Sequence, residues 1–378
     1  MKKFVKDIIV FFKNFKTINE IALKNFKIVF FSENRNYKKY SSILIETFLD
    51  VYPNDILYVS IDKKDIIDDK RIKNLFLENR YLTQFFFKKL KCKNMLTTTI
   101  DLGNHLIAKT KNVVNYIYYF HSPVSTTKVY TNKAFDNYDT ILSIGKFQKD
   151  EIRKREKVKK IKEKKIIELG YPYFDYIMRK LNEINFNKPD SILVAPSWNY
   201  REKNFINEDF EKIIDCLLQY GFNVIFRPHP EHFKRSKNFI NKIKNKNLNK
   251  NFVFDDKIEN FVSMKKSISL ITDNSGIAIE YCLILKRPVF YYNNLDKIHN
   301  TDVNDFNEMF NLEDTLKKNF GYIFNYSKID ILGEFINDNI DIFNNTRKND
   351  LDIFLKNNFF NVFKSKEFIK DNLKNFIV

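Results

Sequence analysis

Asp273-Asn274-Ser275-Gly276 follows the apolar run Ser267–Ile271 and opens a helix-like stretch that stops at Lys286-Arg287-Pro288. A strand handing over to a helix through such a turn presents unpaired backbone N–H groups and a positive dipole end, which suits a phosphate. Asn274, Ser275 and Gly276 are therefore the candidate phosphate-binding residues. Asp273 and Asn274 also read as N-cap residues, a structural role compatible with the first. Glu280 lies about one and a half turns further, within reach of a ribose hydroxyl. Asp273 and Glu280 are the candidates for the nucleotide part; the plainer reading of Glu280 is a polar residue on a half-buried helix.

A second polar cluster, Arg227-Pro228-His229-Pro230-Glu231, directly follows the apolar strand Asn223–Phe226. The prolines stiffen the loop and hold the imidazole at the strand exit. Arg227 offers a planar fork matched to phosphate oxygens, and His229 can donate to a phosphate or a leaving group. His232 reads as a surface residue. In the first half of the chain, His121 closes the run Val113–Phe120 and is followed by Ser122-Pro123. That puts an imidazole at the C-terminal edge of a parallel sheet, where open α/β folds bind ligands and where it could take a proton from a hydroxyl. The alternative is a histidine that caps the next turn. His121 and His229 are the catalytic candidates.

These residues need strands to carry them. Short apolar runs alternate with helix-like stretches, the pattern of parallel α/β sheets. Strands are expected at Lys27–Phe31, Ile56–Ile61, Met95–Thr99, Tyr116–Phe120, Thr140–Ile144 and Lys165–Leu169. A second series falls at Ser191–Ala195, Asn223–Phe226, Phe252–Phe254, Ser267–Ile271 and Pro288–Tyr292. Gly170-Tyr171-Pro172 breaks the pattern between them. The expected organisation is an N-terminal Rossmann-like domain over 1–182 and a C-terminal Rossmann-like donor domain over 183–345. Helices over 346–378 would pack back across the domains. The charge run Glu151–Lys165 reads as a helix exposed along most of its length, and Asp255/Asp256 as loop residues.

With 378 residues, 44% of them hydrophobic, the chain has ample core for two domains. Its three cysteines are scattered, which argues against disulfides or structural zinc and fits a reducing cytoplasm. No Walker A loop, GxGxxG or GxSxG is present, and no metal-ligand set is convincing, since the His229/His232 pair has only Glu231 beside it. No cofactor or metal is expected. Lys+Arg exceed Asp+Glu by 65 to 47, a balance that favours anionic ligands or anionic lipid. Nucleic acid is disfavoured by the absence of any recognition signature. No run is long enough to span a bilayer, but MKKFVKDIIVFFKNF can form a helix with Phe4, Ile8, Phe11, Phe12 and Phe15 on one side and lysines around it. Such a helix suits either a membrane surface or its own domain, so the expected location is the cytoplasm or the inner membrane face.

Taken together, His121-Ser122, Gly170-Tyr171-Pro172, Arg227-Pro228-His229-Pro230 and Asp273–Gly276 with Lys286–Tyr291 resemble the CDP-glycerol glycerophosphotransferase family of teichoic-acid-type enzymes. The resemblance covers mainly residues 115–292. It implies a GT-B fold, two Rossmann-like domains facing a cleft, with His121 as base and His229 and Ser275 on the donor pyrophosphate. It implies transfer of glycerol phosphate from CDP-glycerol to a polysaccharide or lipid-linked hydroxyl, with release of CMP. Two places depart from the family's usual pattern: His-Gly is replaced by His121-Ser122, and a Ser-Ser pair stands where this chain has Asn274-Ser275-Gly276. The second departure also resembles GT-B glycosyltransferases of capsule or lipopolysaccharide synthesis and UDP-N-acetylglucosamine 2-epimerases, so a nucleotide sugar is the alternative donor.

Overall fold

The computed structural model describes residues 2–103, 106–185, 188–198, 205–248, 251–293, 298–306 and 308–378, with backbone only for 2–11 and 13. Thirteen strands form two wholly parallel sheets. In the first, β1 (Phe26–Ser32), β2 (Ile56–Ser60), β3 (Ile72–Phe76), β4 (Cys92–Thr97), β5 (Val113–Tyr119), β6 (Thr140–Ser143) and β7 (Lys165–Glu168) lie in the order 3-2-1-4-5-6-7. The second has β8 (Ser191–Val194), β9 (Asn223–Phe226), β10 (Phe252–Phe254), β11 (Ser267–Thr272), β12 (Val289–Tyr292) and β13 (Gly321–Phe324), in the order 10-9-8-11-12-13. Both orders reverse at a switch point, β1/β4 in one sheet and β8/β11 in the other. Loops leaving the strand ends there border a crevice in which open α/β sheets bind ligands.

The inner strands read as near-continuous apolar runs because helices cover both faces. Val29, Phe30 and Phe31 of β1 and Ile192, Leu193 and Val194 of β8 are fully buried. β3 and β13 were not expected from sequence, and β4 begins at Cys92, three residues before the expected strand.

The chain does not end in the second lobe. After the helices Leu332–Thr346 and Lys348–Asn358 it returns to the first, where Phe359 bridges Gly145 and the Phe360 N–H bonds the Ile144 carbonyl at 3.0 Å. Gly170, at φ +89°, lies so close beneath Phe360 that a Cβ there would fall 2.2 Å from its carbonyl oxygen. The helix Ser365–Asp371 then packs on the helices Lys38–Leu49 and Pro172–Glu183. The last residue, Val378, donates its N–H to Asn94 Oδ1 at 3.1 Å.

The N-terminal segment is a helix, Lys2–Leu23. Ile18, Ile21 and Ala22 are buried in the first lobe, and Phe15 meets Phe85 at 4.6 Å between ring centroids. Phe12 is exposed, while the side chains of Phe4, Ile8 and Phe11, on which the expected apolar face depends, lie outside the described residues. Among the described residues no helix is long and apolar enough to cross a membrane.

Candidate active site between the two sheets

His121 stands just beyond β5, its ring edge-on to Tyr37 at 5.1 Å and within 6.3 Å of the Tyr40 and Tyr130 rings. Three phenol rings thus fix the imidazole from the first lobe. The next residue, Ser122, meets the second lobe. A Cβ placed on Gly276 would lie 2.9 Å from the Ser122 hydroxyl oxygen. The β5 exit and the turn after β11 therefore touch, at the residues next to His121 and Ser275. The contact joins the two segments, His121-Ser122 and Asn274-Ser275-Gly276, in which the chain departs from the resemblance's usual pattern. A hydroxymethyl group stands on the first-lobe side, and the second-lobe side makes room for it.

The turn after β11 is held from within its own lobe. Asp273 accepts from the Ser197 N–H at 2.6 Å and the Ser197 hydroxyl at 2.8 Å, so both carboxylate oxygens tie the β8 exit to the β11 exit. These bonds give Asp273 a positioning role across the switch point. Past Gly276 the chain makes a short α-helix, Ile277–Glu280, then a π-helix, Tyr281–Leu285, instead of one continuous helix. π-Turns of this kind recur at functional sites.

The loop after β9 also differs from expectation. The Arg227 guanidinium closes on its own lobe, with Nη1 at 2.6 Å from buried Asp255 and Nη2 bonding the Lys257 and Ile258 carbonyls at 2.8 and 3.0 Å. Arg227 therefore shapes the loop and does not present a free fork to a phosphate. Asp255 is accordingly buried, and it also accepts from Ser263.

His229 remains exposed. It caps the short helix Pro230–Arg235, with Nδ1 accepting from the Glu231 N–H at 3.2 Å. In the neutral ring this leaves the proton on Nε2, the nitrogen a phosphate oxygen would need as donor. His232, expected on the surface, is fully buried. Its Nε2 lies 3.0 Å from the Ser197 carbonyl and its ring packs edge-on against Trp198. Burial lowers its pKa, which keeps it neutral and structural.

Glu280 is buried where the lobes join, accepting from the Tyr171 hydroxyl at 3.4 Å. Burial raises its pKa to about 7, against the pull of Lys39 across the cleft. It faces the first lobe's aromatic wall, whereas the sequence reading aimed it at a ribose.

A second junction was missed entirely. Glu151, within the charge run expected to be exposed, is buried and binds the loop after His121. It accepts from the Ser125 hydroxyl and from both the N–H and hydroxyl of Thr126, each at 2.6 Å. Glu313 of the second lobe accepts from the Ser125 N–H at 3.0 Å. Both carboxyls are raised to about 7, chiefly by burial, and Glu313 also by its proximity to Glu151. Among the described residues no cluster of His, Cys, Asp and Glu could hold a metal ion.

The family model for CDP-glycerol:poly(glycerophosphate) glycerophosphotransferases matches residues 14–310. No curated protein sequence matches significantly. Among solved structures, the wall teichoic acid polymerase TagF superimposes with a TM-score of 0.64 at 18% identity, over 98% of this chain and 95% of that one. A TagF variant soaked with CDPG gives 0.62 at 16% identity, over 99% and 98%. The UDP-GlcNAc 2-epimerase of Methanocaldococcus jannaschii, in complex with UDP-GlcNAc and UDP, gives 0.57 at 16%, over 92% and 99%. The fold shared with these proteins is the two-lobed GT-B architecture.

Proposed function

The chain belongs to the CDP-glycerol:poly(glycerophosphate) glycerophosphotransferase family, and from that premise we propose that it moves glycerol phosphate from CDP-glycerol onto a hydroxyl of a polysaccharide or lipid-linked acceptor. The observation that carries the reading is the apposition of His121-Ser122 to Gly276, which sets an imidazole opposite a turn suited to phosphate. The acceptor oxygen attacks the glycerol-linked phosphorus while His121 removes its proton. The bond from that phosphorus to the bridging oxygen breaks, and CMP leaves with the bonding electrons. His229, through Nε2–H, and the amides around Ser275 stabilise the charge that grows on the phosphates. Arg227 and Asp273 act at one remove, Arg227 by shaping the loop that holds His229 and Asp273 by fixing the turn that holds Ser275.

A glycerophosphate-type acceptor is the reading that the family's description supports, and an anionic membrane surface is compatible with the +18 charge. The test is CMP release from CDP-glycerol in the presence of a glycerophosphate primer. His121→Ala and His229→Ala are each expected to cut kcat/KM by roughly a hundredfold or more while far-UV circular dichroism is unchanged. Full activity in either variant removes that residue from the mechanism. Turnover of a UDP-sugar in place of CDP-glycerol overturns the donor.

A further inference from the structure

Lys39 sits in the first turn of the helix Lys38–Leu49, on the first-lobe wall of the cleft. Its ammonium lies 5.1 Å above the Tyr40 ring and 5.1 Å above the Tyr173 ring. It makes no hydrogen bond and no ion pair within 4 Å with any described residue. The charges it feels belong to the second lobe: Glu280 and Glu259 attract it and Arg227 repels it. Aromatic faces compensate a cation only in part, and this half-buried lysine has no anion at contact distance among the described residues.

Its place in the fold gives that state a meaning. Tyr40, under the ammonium, also flanks His121 at 6.0 Å between ring centroids. Glu280, across from it, begins four residues after the Gly276 turn. Lys39 thus shares Tyr40 with the imidazole and faces the charge of Glu280 from the element that follows the second-lobe turn. Neither carboxyl is at contact distance: Glu280 accepts from the Tyr171 hydroxyl and Glu259 from the Tyr176 hydroxyl.

We propose that Lys39 binds a non-bridging oxygen of the donor phosphate in transit, completing from the first lobe the phosphate site begun by the turn of the second. This rests on the transferase reading and adds a residue to it. A phosphate held between Asn274–Gly276 and Lys39 would have its phosphorus facing His121, and its charge would draw the two lobes together.

The experiment compares Lys39→Met and Lys39→Arg with the unaltered protein. Titration calorimetry measures CDP-glycerol and cytidine, and CMP release measures transfer to a glycerophosphate primer. The expected result is a fall of roughly a hundredfold in kcat/KM for Lys39→Met, most of it recovered in Lys39→Arg. CDP-glycerol binding weakens in parallel and cytidine binding is unchanged. Equal loss for cytidine and CDP-glycerol would mean Lys39 merely supports the fold, and overturns the proposal. So would wild-type donor affinity, or an effect confined to the primer's KM. If the unaltered protein neither binds nor turns over CDP-glycerol, the transferase reading itself fails, which these comparisons keep distinct.

Discussion

Ser122 and Gly276 show how one atom can decide which side of a cleft supplies a polar group. The Ser122 hydroxyl occupies the volume a side chain at 276 would need, with 2.9 Å between the two positions. Gly276→Ala must therefore push Ser122 into another rotamer or shift the turn by several tenths of an ångström. Small displacements of reacting groups are costly in positioned catalysis. We expect about a tenfold loss of kcat/KM for Gly276→Ala, with recovery in the Ser122→Gly/Gly276→Ala double variant. Additive losses in that double-mutant cycle would mean the two residues do not couple.

Three candidate residues share a feature that the sequence did not show. Arg227, Asp273 and Glu280 were assigned by what their side chains can bind, and each also has a protein partner. Those partners, Asp255, Ser197 and Tyr171, stand 28, 76 and 109 residues away in the chain. No local pattern announces them. His121 and His229 were legible because a strand exit is itself a local feature.

Among elements, the inner strands of both sheets could be placed within a few residues, since apolar runs bounded by polar turns are unambiguous when both faces are covered. β3 and β13 escaped because their patterns are weak, whereas the other two edge strands, β7 and β10, were placed. β3 exposes Lys73 and Asn74, and β13 is only Gly-Tyr-Ile-Phe with Ile323 outward. The change from α to π at Tyr281 left no trace, because both helices want the same apolar residues.

The helices Lys146–Lys159 and Leu312–Phe320 bring Glu151 and Glu313 to the loop after His121 from opposite lobes, a meeting that helical periodicity does not reveal. Their raised pKa values carry a definite sign. Each carboxyl holds its proton up to about pH 7 in the folded protein, against an ordinary value of 4.5. Between those limits the folded state binds more protons than the unfolded one, so stability falls as pH rises through the window and levels off above it. The thermal midpoint should be higher at pH 6 than at pH 8. Glu151→Gln should flatten the slope; an unchanged slope would show that Glu151 ionises normally.

At the scale of the molecule, the path of the chain matters more than any single contact. It leaves the first lobe after the helix Pro172–Glu183 and comes home at Phe359 and Phe360, so the second lobe hangs from two crossings. Spin labels can follow its motion in a Cys216→Ser background, since Cys92 and Cys282 are buried. Lys64 and Lys234 are exposed on opposite lobes, as are Lys154 and Lys318. On adding CDP-glycerol the two interlabel distances should change together in a fixed ratio. Distances that vary independently would show the lobes turning freely.

A gate hung from two pins can swing but cannot twist. With a single tether, each opening would let His121 and the Ser275 turn meet again at a new angle, and alignment would have to be found afresh every cycle. The returning C-terminal segment removes that search. The expected consequence is one arc of travel, which would bring the same atoms together at each closing stroke.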